Sequence, residues 1–248
     1  AAVFAVPSPE AALSLLALAQ ARLGEQVSAF ELIHRQGPDF LAEVGPEVRM
    51  PLDPVPDWMV LIDVGLSGGV SAQDALLAVF EDAAEAGLAT DGVVSRSEAQ
   101  RAEFWAVRES IPEANRRIGA VSSHDISLPL SEIPGFVAAA PAEIAQIGAF
   151  RINGFGHLGD GNLHYNVFPM PGRTRADHIT DRDAIKRCVH DLVAARGGSV
   201  AAEHGVGRLK VADLERYADP AKQTMMRAVK RALDPQGILN PGAVLLHF

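Results

Sequence analysis

The chain has 248 residues, of which 48% are hydrophobic and 21% charged, a composition typical of a globular protein with one large or two small domains. Its formal net charge of −9 at pH 7 argues against a general nucleic-acid or anionic-membrane surface, because both need clustered positive charge. The single cysteine excludes a disulfide framework, and no apolar run reaches the roughly 18 to 20 residues of a membrane helix, so we expect a cytoplasmic protein without a transmembrane segment.

The first part of the chain alternates strands and helices. "VFAV" predicts a strand, Ser8 then caps a helix with apolar residues at helical spacing, and "VSAFELIHR" predicts a second strand. A proline-rich connection through residue 56 leads to "WMVLIDVGL", the clearest strand in the chain. A helix over 71–86 and the strand "GVVSRS" follow. This β-α-β-β-α-β order is typical of ferredoxin-like folds.

The same order recurs after a separate helix, "SEAQRAEFWAVRESIPEANRR". "HDISLP" predicts a strand, a helix runs to about residue 147, "FRINGFGH" and "NLHYNVFP" form two strands, and a helix over 177–195 precedes the strand "GGSVAAEH". We therefore predict an α+β fold with two antiparallel sheets. Its parts are a first ferredoxin-like unit (1–97), a connecting helix (98–120), a second ferredoxin-like unit (121–205) and a C-terminal helical segment (206–248). Such units host many functions, so their order alone predicts no activity.

Two histidines flank a glycine-rich turn in "GFGHLGDGNLHYNV", residues 154–167. Asp160 and Gly161 are typical of a type I′ hairpin turn, in which both central residues have positive φ. With these residues as the loop, His157 lies directly opposite His164, with Cβ atoms about 4.5 to 5.5 Å apart. Two imidazoles at that distance can share one cation. The alternative is a pair of solvent-facing histidines on an ordinary hairpin.

A candidate third ligand lies downstream in "GGSVAAEHGVGRLK". Glu203 and His204 follow a short β-like run and precede glycines that allow a close backbone approach. Two histidines and one carboxylate form a common open metal site, in which substrate or water takes the remaining positions. A solvated loop is the alternative interpretation of this tripeptide.

Several spaced motifs resemble one family. The hairpin, "GGSVAAEHGVGRLK", the terminal "ALDPQGILNPGAVL", and "FWAVRESI" with "SHDISLPLSEIPGF" resemble the C-terminal region of FAD-linked oxidases of the vanillyl-alcohol-oxidase type. The most similar branch contains the bacterial glycolate oxidase subunit, D-lactate dehydrogenase and D-2-hydroxyglutarate dehydrogenase. The resemblance covers essentially the whole chain. It implies the substrate and cap part of an enzyme that oxidises a D-2-hydroxy acid to a 2-oxo acid by proton abstraction and hydride transfer to FAD.

The resemblance also implies what binds where. His157, His164 and Glu203 would hold a divalent metal, with Zn²⁺ expected, and His204 would be the general base. Such enzymes carry FAD mainly on an N-terminal domain with a glycine-rich phosphate loop, and no helix follows the hairpin glycines of this chain to form one. We expect that domain to be cut off from this chain or encoded on another. An electron acceptor would reoxidise the flavin, and a homodimer is compatible with the sequence.

Further contacts follow from the same resemblance. Arg108 in "WAVRE" resembles an arginine that binds the substrate carboxylate, for which a planar bidentate donor is well suited, although a surface pair with Glu109 is the alternative. Asn166 resembles a substrate-contacting asparagine, and it falls on the histidine face of the predicted hairpin. Asn240 in "ILNPG" resembles a residue beside the flavin ring, although Asn-Pro-Gly is equally a plain turn.

The chain departs from the 2-hydroxyglutarate enzymes at two positions. A lysine before the "D-hydrophobic-S-hydrophobic-P" strand is replaced by Ser123 and His124, and a threonine after the arginine is replaced by Pro112. Both positions would serve a distal substrate carboxylate, so the loss of a cation there weakens the case for 2-hydroxyglutarate and leaves lactate, glycolate or another 2-hydroxy acid open. His124 is a candidate to stand in for the lysine.

Two other functions are compatible with the same residues. A metal-dependent hydrolase would use two histidines and a glutamate to activate water, and it would turn over without flavin. A non-enzymatic ligand-binding or interaction module would leave the histidines solvated and the purified protein free of metal.

Overall fold

A computed structural model describes residues 1–66 and 69–246. Its core element is one antiparallel sheet of seven strands in the order β4-β1-β3-β2-β6-β7-β5. The strands are β1 Ala2–Val6, β2 Val27–His34, β3 Trp58–Val64, β4 Asp91–Val94, β5 Ser122–Ser127, β6 Phe150–His157 and β7 Asn162–Pro169. The helices are α1 Pro9–Leu23, α2 Gln36–Val44, α3 Ala72–Glu85, α4 Glu98–Ile118, α5 Ile133–Ala145, α6 Arg182–Ala194, α7 Val211–Tyr217 and α8 Pro220–Leu233.

The α+β class is confirmed, and the strand order reveals how the two ferredoxin-like units are joined. The first unit supplies β4-β1-β3-β2 and the second supplies β6-β7-β5. The expectation of two separate sheets is wrong, because β2 pairs with β6, with Leu32 opposite Gly156. An isolated unit would leave each of these strands as an edge with unpaired N–H and C=O groups, and their pairing satisfies both.

The predicted last strand, "GGSVAAEH", is reduced to a single bridge between Ser127 and Ser199. Gly198 makes this approach possible, since a Cβ there would lie 2.5 Å from the Ser127 carbonyl oxygen. Beyond the bridge the chain leaves the sheet, and Asp125 accepts hydrogen bonds from the backbone N–H groups of Ala202, at 3.3 Å, and His204, at 2.8 Å. The residues after the bridge therefore form a loop, and these two hydrogen bonds hold it over the end of the sheet.

The two faces of the sheet carry different helices. One face packs against α1, α3, α5 and α6, and the other packs against α2 and α4. The sequence missed α2, because Gly37 and Pro38 in its first turn suggested a loop. Its docking residue Phe40 is fully buried and meets Phe168 with ring centroids 4.7 Å apart, a contact whose truncation to alanine would cost about 3 to 5 kcal/mol. The α4 face carries the polar residues described next.

None of the helices in the described ranges combines the length and the hydropathy that crossing a membrane requires.

Candidate functional site

The hairpin between β6 and β7 is longer than its sequence predicts. Phe155, not His157, lies opposite His164. A 3-10 turn over Leu158–Asp160 precedes Gly161, whose φ of 81° is left-handed, whereas no positive φ occurs at Asp160. The type I′ turn is therefore wrong, and the register is shifted by two residues.

His157 pairs across the other edge of its strand, opposite Glu31 of β2. A shift of two residues keeps every side chain on its original face. For this reason the His157 and His164 rings still lie close, with centroids 6.0 Å apart. The opposite face of the hairpin is apolar as predicted, with Leu158, Leu163 and Tyr165 buried.

Glu203 brings the anchored loop to both histidines. Its Oε1 lies 3.2 Å from His157 Nε2, and its Oε2 lies 3.7 Å from His164 Nε2. The other nitrogen of each ring faces a buried carboxylate. Glu31 contacts Nδ1 of His157, and Asp125 lies 3.9 Å from Nδ1 of His164. His157 is thus held between Glu31 and Glu203, whereas His164 lies near Asp125 without a hydrogen bond to it.

The donor types of His157, His164 and Glu203 are those that a divalent metal takes. Two imidazole nitrogens and one carboxylate suit Zn²⁺, and carboxylates on the outer ring nitrogens are the usual support of metal-binding histidines. In the part of the chain that the structure describes, the group whose ligand atoms all lie within 4.8 Å of one another is Asp125, His164, Glu203 and His204, which shares His164 and Glu203 with this donor set but does not include His157. Asp125 already accepts hydrogen bonds from two backbone N–H groups and from the Asn162 amide, at 2.9 Å, so supporting the loop is its better role.

The electrostatics favour the metal-binding protonation states. Burial, together with the Arg108 charge, lowers the pKa of His164, so its ring is neutral at pH 7 as ligation requires. Burial alone would raise the pKa of Asp125. Hydrogen bonds from the His204 backbone N–H and the Asn162 amide outweigh that effect and lower it, so this carboxylate is charged.

Arg108 reaches the same face from α4 and is 7% exposed. Its Nε donates to Glu31 at 2.6 Å, and its guanidinium lies over the Phe155 ring, 4.7 Å from the centroid. Arg108 therefore pairs with Glu31 and not with Glu109 at the surface. Asn166 is also buried here, and its Oδ1 accepts the His124 backbone N–H at 3.2 Å, which leaves the amide N–H₂ for a ligand.

All six of these predicted site residues border one cavity of about 740 Å³ between α4 and the sheet. They are His157, His164, Glu203, His204, Arg108 and Asn166. Further along α4, the far part of the cavity is lined by Pro112, Asn115 and Arg116, together with Gly119, Ala120, Ser123 and Arg175. Among the described residues, the His204 imidazole forms no hydrogen bond and no carboxylate pairs with Arg175.

His124 does not stand in for the missing lysine. It pairs with Tyr165, a residue of the opposite, apolar face, and its ring packs edge-on against His190 of α6 with centroids 5.2 Å apart. Burial lowers the pKa of His124 well below its usual value, so the ring is neutral and offers no cation. Ser123, the residue before it, lies opposite Asn166 on the site face.

Asn240 lies outside the 740 Å³ cavity. Its Oδ1 accepts from Arg208 at 3.3 Å, and it borders a separate apolar cavity of about 610 Å³ beside α8. Glu31 and Asp125 were not predicted as site residues from the sequence. The available signal was a single carboxylate within an otherwise buried strand, as in "FELI" and "HDIS".

Comparisons with known proteins agree with this architecture. The sequence profile of FAD linked oxidases, C-terminal domain, matches residues 1–244. The mitochondrial D-2-hydroxyglutarate dehydrogenase of Arabidopsis thaliana is 34% identical over 94% of this chain and 40% of its own length, and the Bos taurus enzyme is 37% identical over 91% and 40%. A Xanthomonas citri D-2-hydroxyglutarate dehydrogenase is 31% identical over 97% of this chain and 50% of its own length.

Among solved structures, p-cresol methylhydroxylase with substrate bound has the same fold. Its TM-score is 0.66 at 15% identity, over 99% of this chain and 52% of that one. The chain spans only 40% to 50% of the length of the three curated relatives named above.

Proposed function

Because the chain belongs to the family of FAD-linked oxidase C-terminal domains, we propose that it provides the substrate and metal site of a flavin-dependent dehydrogenase that oxidises D-2-hydroxy acids to 2-oxo acids. One observation carries the proposal: Glu203 meets the Nε2 atoms of His157 and His164 beside Arg108, at one end of a shared cavity. The names of the relatives support the substrate class.

His157, His164 and Glu203 are the proposed ligands of a divalent cation, with Zn²⁺ favoured by the mixed nitrogen and oxygen donors. When bound, the cation supplies a Lewis acid for the substrate oxygens, and the flavin supplies the acceptor for the hydrogen leaving C2 as hydride. Both groups act on a substrate that the side chains of this chain hold in place.

Three side chains perform the remaining work. The terminal N–H groups of Arg108 bind the substrate carboxylate, because its Nε is already engaged by Glu31. The Asn166 amide N–H₂ donates to a substrate oxygen. The His204 imidazole, which lacks a hydrogen-bond partner in the described part of the chain, takes the proton of the substrate hydroxyl group. Removal of that proton and of hydride from C2 balances the conversion of alcohol to ketone.

The far part of the cavity favours a substrate longer than lactate. Pro112 and Ser123 offer no charge there, but Arg175 crosses from the segment after β7, and its Cδ lies 3.9 Å from where a Cβ of Gly119 would be. We propose that Arg175 supplies the cation for a distal acidic group of the substrate. Arg116, at the same end, is already paired with Glu113 at 2.8 Å.

An exposed apolar surface on α8 is our candidate contact for the flavin-binding partner. On α8, the exposed fractions are 63% at Met225, 58% at Val229 and 75% at Leu233, at helical spacing along one side. Ile238 and Leu239 extend that apolar surface. Exposed apolar areas of this kind mark interaction sites. We assign this one to the flavin-binding part of the full-length protein.

Anaerobic reduction of the flavin tests the proposed function, in protein that carries this chain together with its flavin-binding part. D-2-hydroxy acids should bleach the flavin absorbance and L-enantiomers should not, and His204→Gln should abolish bleaching while preserving substrate binding. Hydrolytic turnover by the isolated chain would favour the metal-dependent hydrolase instead. Absence of both metal and substrate binding would favour the interaction module.

A further inference from the structure

Glu31 is a charged residue in the middle of the sheet. It belongs to β2, pairs with Leu61 on one side and His157 on the other, and is 1% exposed. Burying a carboxylate there is costly unless both of its oxygens are satisfied. Each oxygen has a partner, since Oε1 contacts His157 Nδ1 and Oε2 accepts from Arg108 Nε at 2.6 Å.

We propose that Glu31 is a positioning residue that aligns the metal site and the substrate-carboxylate site through one side chain. The proposal rests on the proposed function and adds a residue to it. The Glu31 carboxylate accepts a hydrogen bond from His157 Nδ1–H, which fixes the tautomer and leaves the Nε2 lone pair facing Glu203. The same carboxylate holds Nε–H of Arg108, so that the terminal N–H groups of the guanidinium face the cavity.

Asp125 shows why this role is specific to Glu31. Asp125 stands behind His164 at 3.9 Å, beyond hydrogen-bond distance, and its oxygens are engaged by the loop N–H groups and by Asn162. Its main contacts therefore anchor the chain that carries Glu203. Among the residues that the structure describes, the Glu31 carboxylate instead pairs only with a proposed metal ligand and a proposed substrate-binding residue.

The variant Glu31→Gln tests the role of Glu31 in both hydrogen bonds. An amide has one acceptor oxygen, so it cannot accept from both His157 Nδ1–H and Arg108 Nε–H, and its N–H₂ group must face one of them. Because Arg108 can only donate whereas His157 Nδ1 can also accept, the introduced amide turns its oxygen to Arg108 and its N–H₂ group to His157. His157 then takes the Nε2–H tautomer, which directs a proton at Glu203. We expect zinc affinity to fall about 10- to 100-fold.

Asp63→Asn is the matched control. Asp63 is also a buried carboxylate, lies on the adjacent strand β3, and pairs with Arg101 of the same helix α4 at 2.5 Å. Within residues 1–66 and 69–246, its side chain contacts none of the three proposed metal ligands. Its variant weakens another pair between a buried carboxylate and an arginine, in which Arg101 is 43% exposed, and should leave zinc affinity unchanged.

The experiment measures zinc affinity of the 248-residue chain by competition with a chromophoric chelator, and ¹⁵N NMR reads the His157 tautomer in the metal-free state, assigned with His157→Gln. The proposal is supported if wild-type His157 is the Nδ1–H tautomer and if Glu31→Gln, but not Asp63→Asn, loses zinc affinity. Equal losses in Glu31→Gln and Asp63→Asn, or an unchanged affinity in Glu31→Gln, would overturn the proposal. If Glu31→Gln does not fold, the wild-type tautomer decides, and Nε2–H would refute the role of Glu31. A wild-type chain that binds no zinc contradicts the metal site itself, which separates that failure from this one.

Discussion

Gly161 in the histidine hairpin gives the sharpest stability prediction. Its φ of 81° is left-handed, a Cβ there would lie 2.3 Å from the Leu128 carbonyl oxygen, and its own carbonyl accepts the Leu128 N–H at 3.0 Å. In Gly161→Ala the left-handed conformation costs about 1 to 2 kcal/mol, and the displaced hydrogen bond costs a further ~0.5 to 1.5 kcal/mol. With some residual clash, we expect a loss of about 2 to 4 kcal/mol in the free energy of unfolding.

Gly159→Ala is the control from the same turn. Gly159 has no positive φ, and its added Cβ would meet only Phe30 Cβ at 3.9 Å, an ordinary contact. Restricting the unfolded chain should then stabilise this variant by about 0.4 to 1 kcal/mol. Urea unfolding followed by far-UV circular dichroism measures both changes by linear extrapolation. Equal effects of the two substitutions would refute the backbone argument.

Three further predictions concern the site and its surroundings. Glu203→Gln should weaken zinc binding while leaving the urea midpoint unchanged, because the side chain is 45% exposed; an unfolded variant would make the site structural. His124 has a folded-state pKa well below the usual 6.5, so the unfolded chain binds the proton first and the free energy of unfolding falls as pH drops below about 6.5. His124→Phe should remove up to ~1.4 kcal/mol per pH unit of that dependence. Unfolding measured from pH 7 to 5 checks this. Arg175→Gln should raise the KM for D-2-hydroxyglutarate relative to D-lactate by up to about fivefold in the full-length protein. Arg173→Gln, which changes an arginine already paired with Asp177, should not. Equal KM changes for the two acids in Arg175→Gln would exclude a distal role for Arg175.

Much of the fold follows from local periodicity. Alternating apolar residues located seven strands, and the capping residue Ser8 marked the start of α1, where its hydroxyl accepts the Ala11 N–H. Pairing between β2 and β6 could not be predicted in this way, since two edge strands carry no sign of which other edge they meet. The short helix α2 was hidden by the glycine and proline of its first turn.

The site shows the same division. His157 and His164 were placed on one face correctly despite the wrong turn, because a register shift of two residues preserves the face. The partners of Glu203 could be sought from residue types alone. Glu31 could not, because it is separated from His157 by 126 residues and comes from the first ferredoxin-like unit. Long-range pairing of the two units creates that contact, and no local pattern encodes it.

Metal content tests the central claim most directly. Mass spectrometry on the 248-residue chain, purified without a polyhistidine tag or chelator, should find about one equivalent of Zn²⁺ or another divalent ion. His157→Ala should lose it, and His34→Ala, a histidine outside the cavity, should retain it. Zinc-free wild-type protein that stays empty after metal is added back, or full retention in His157→Ala, would contradict the proposed metal site.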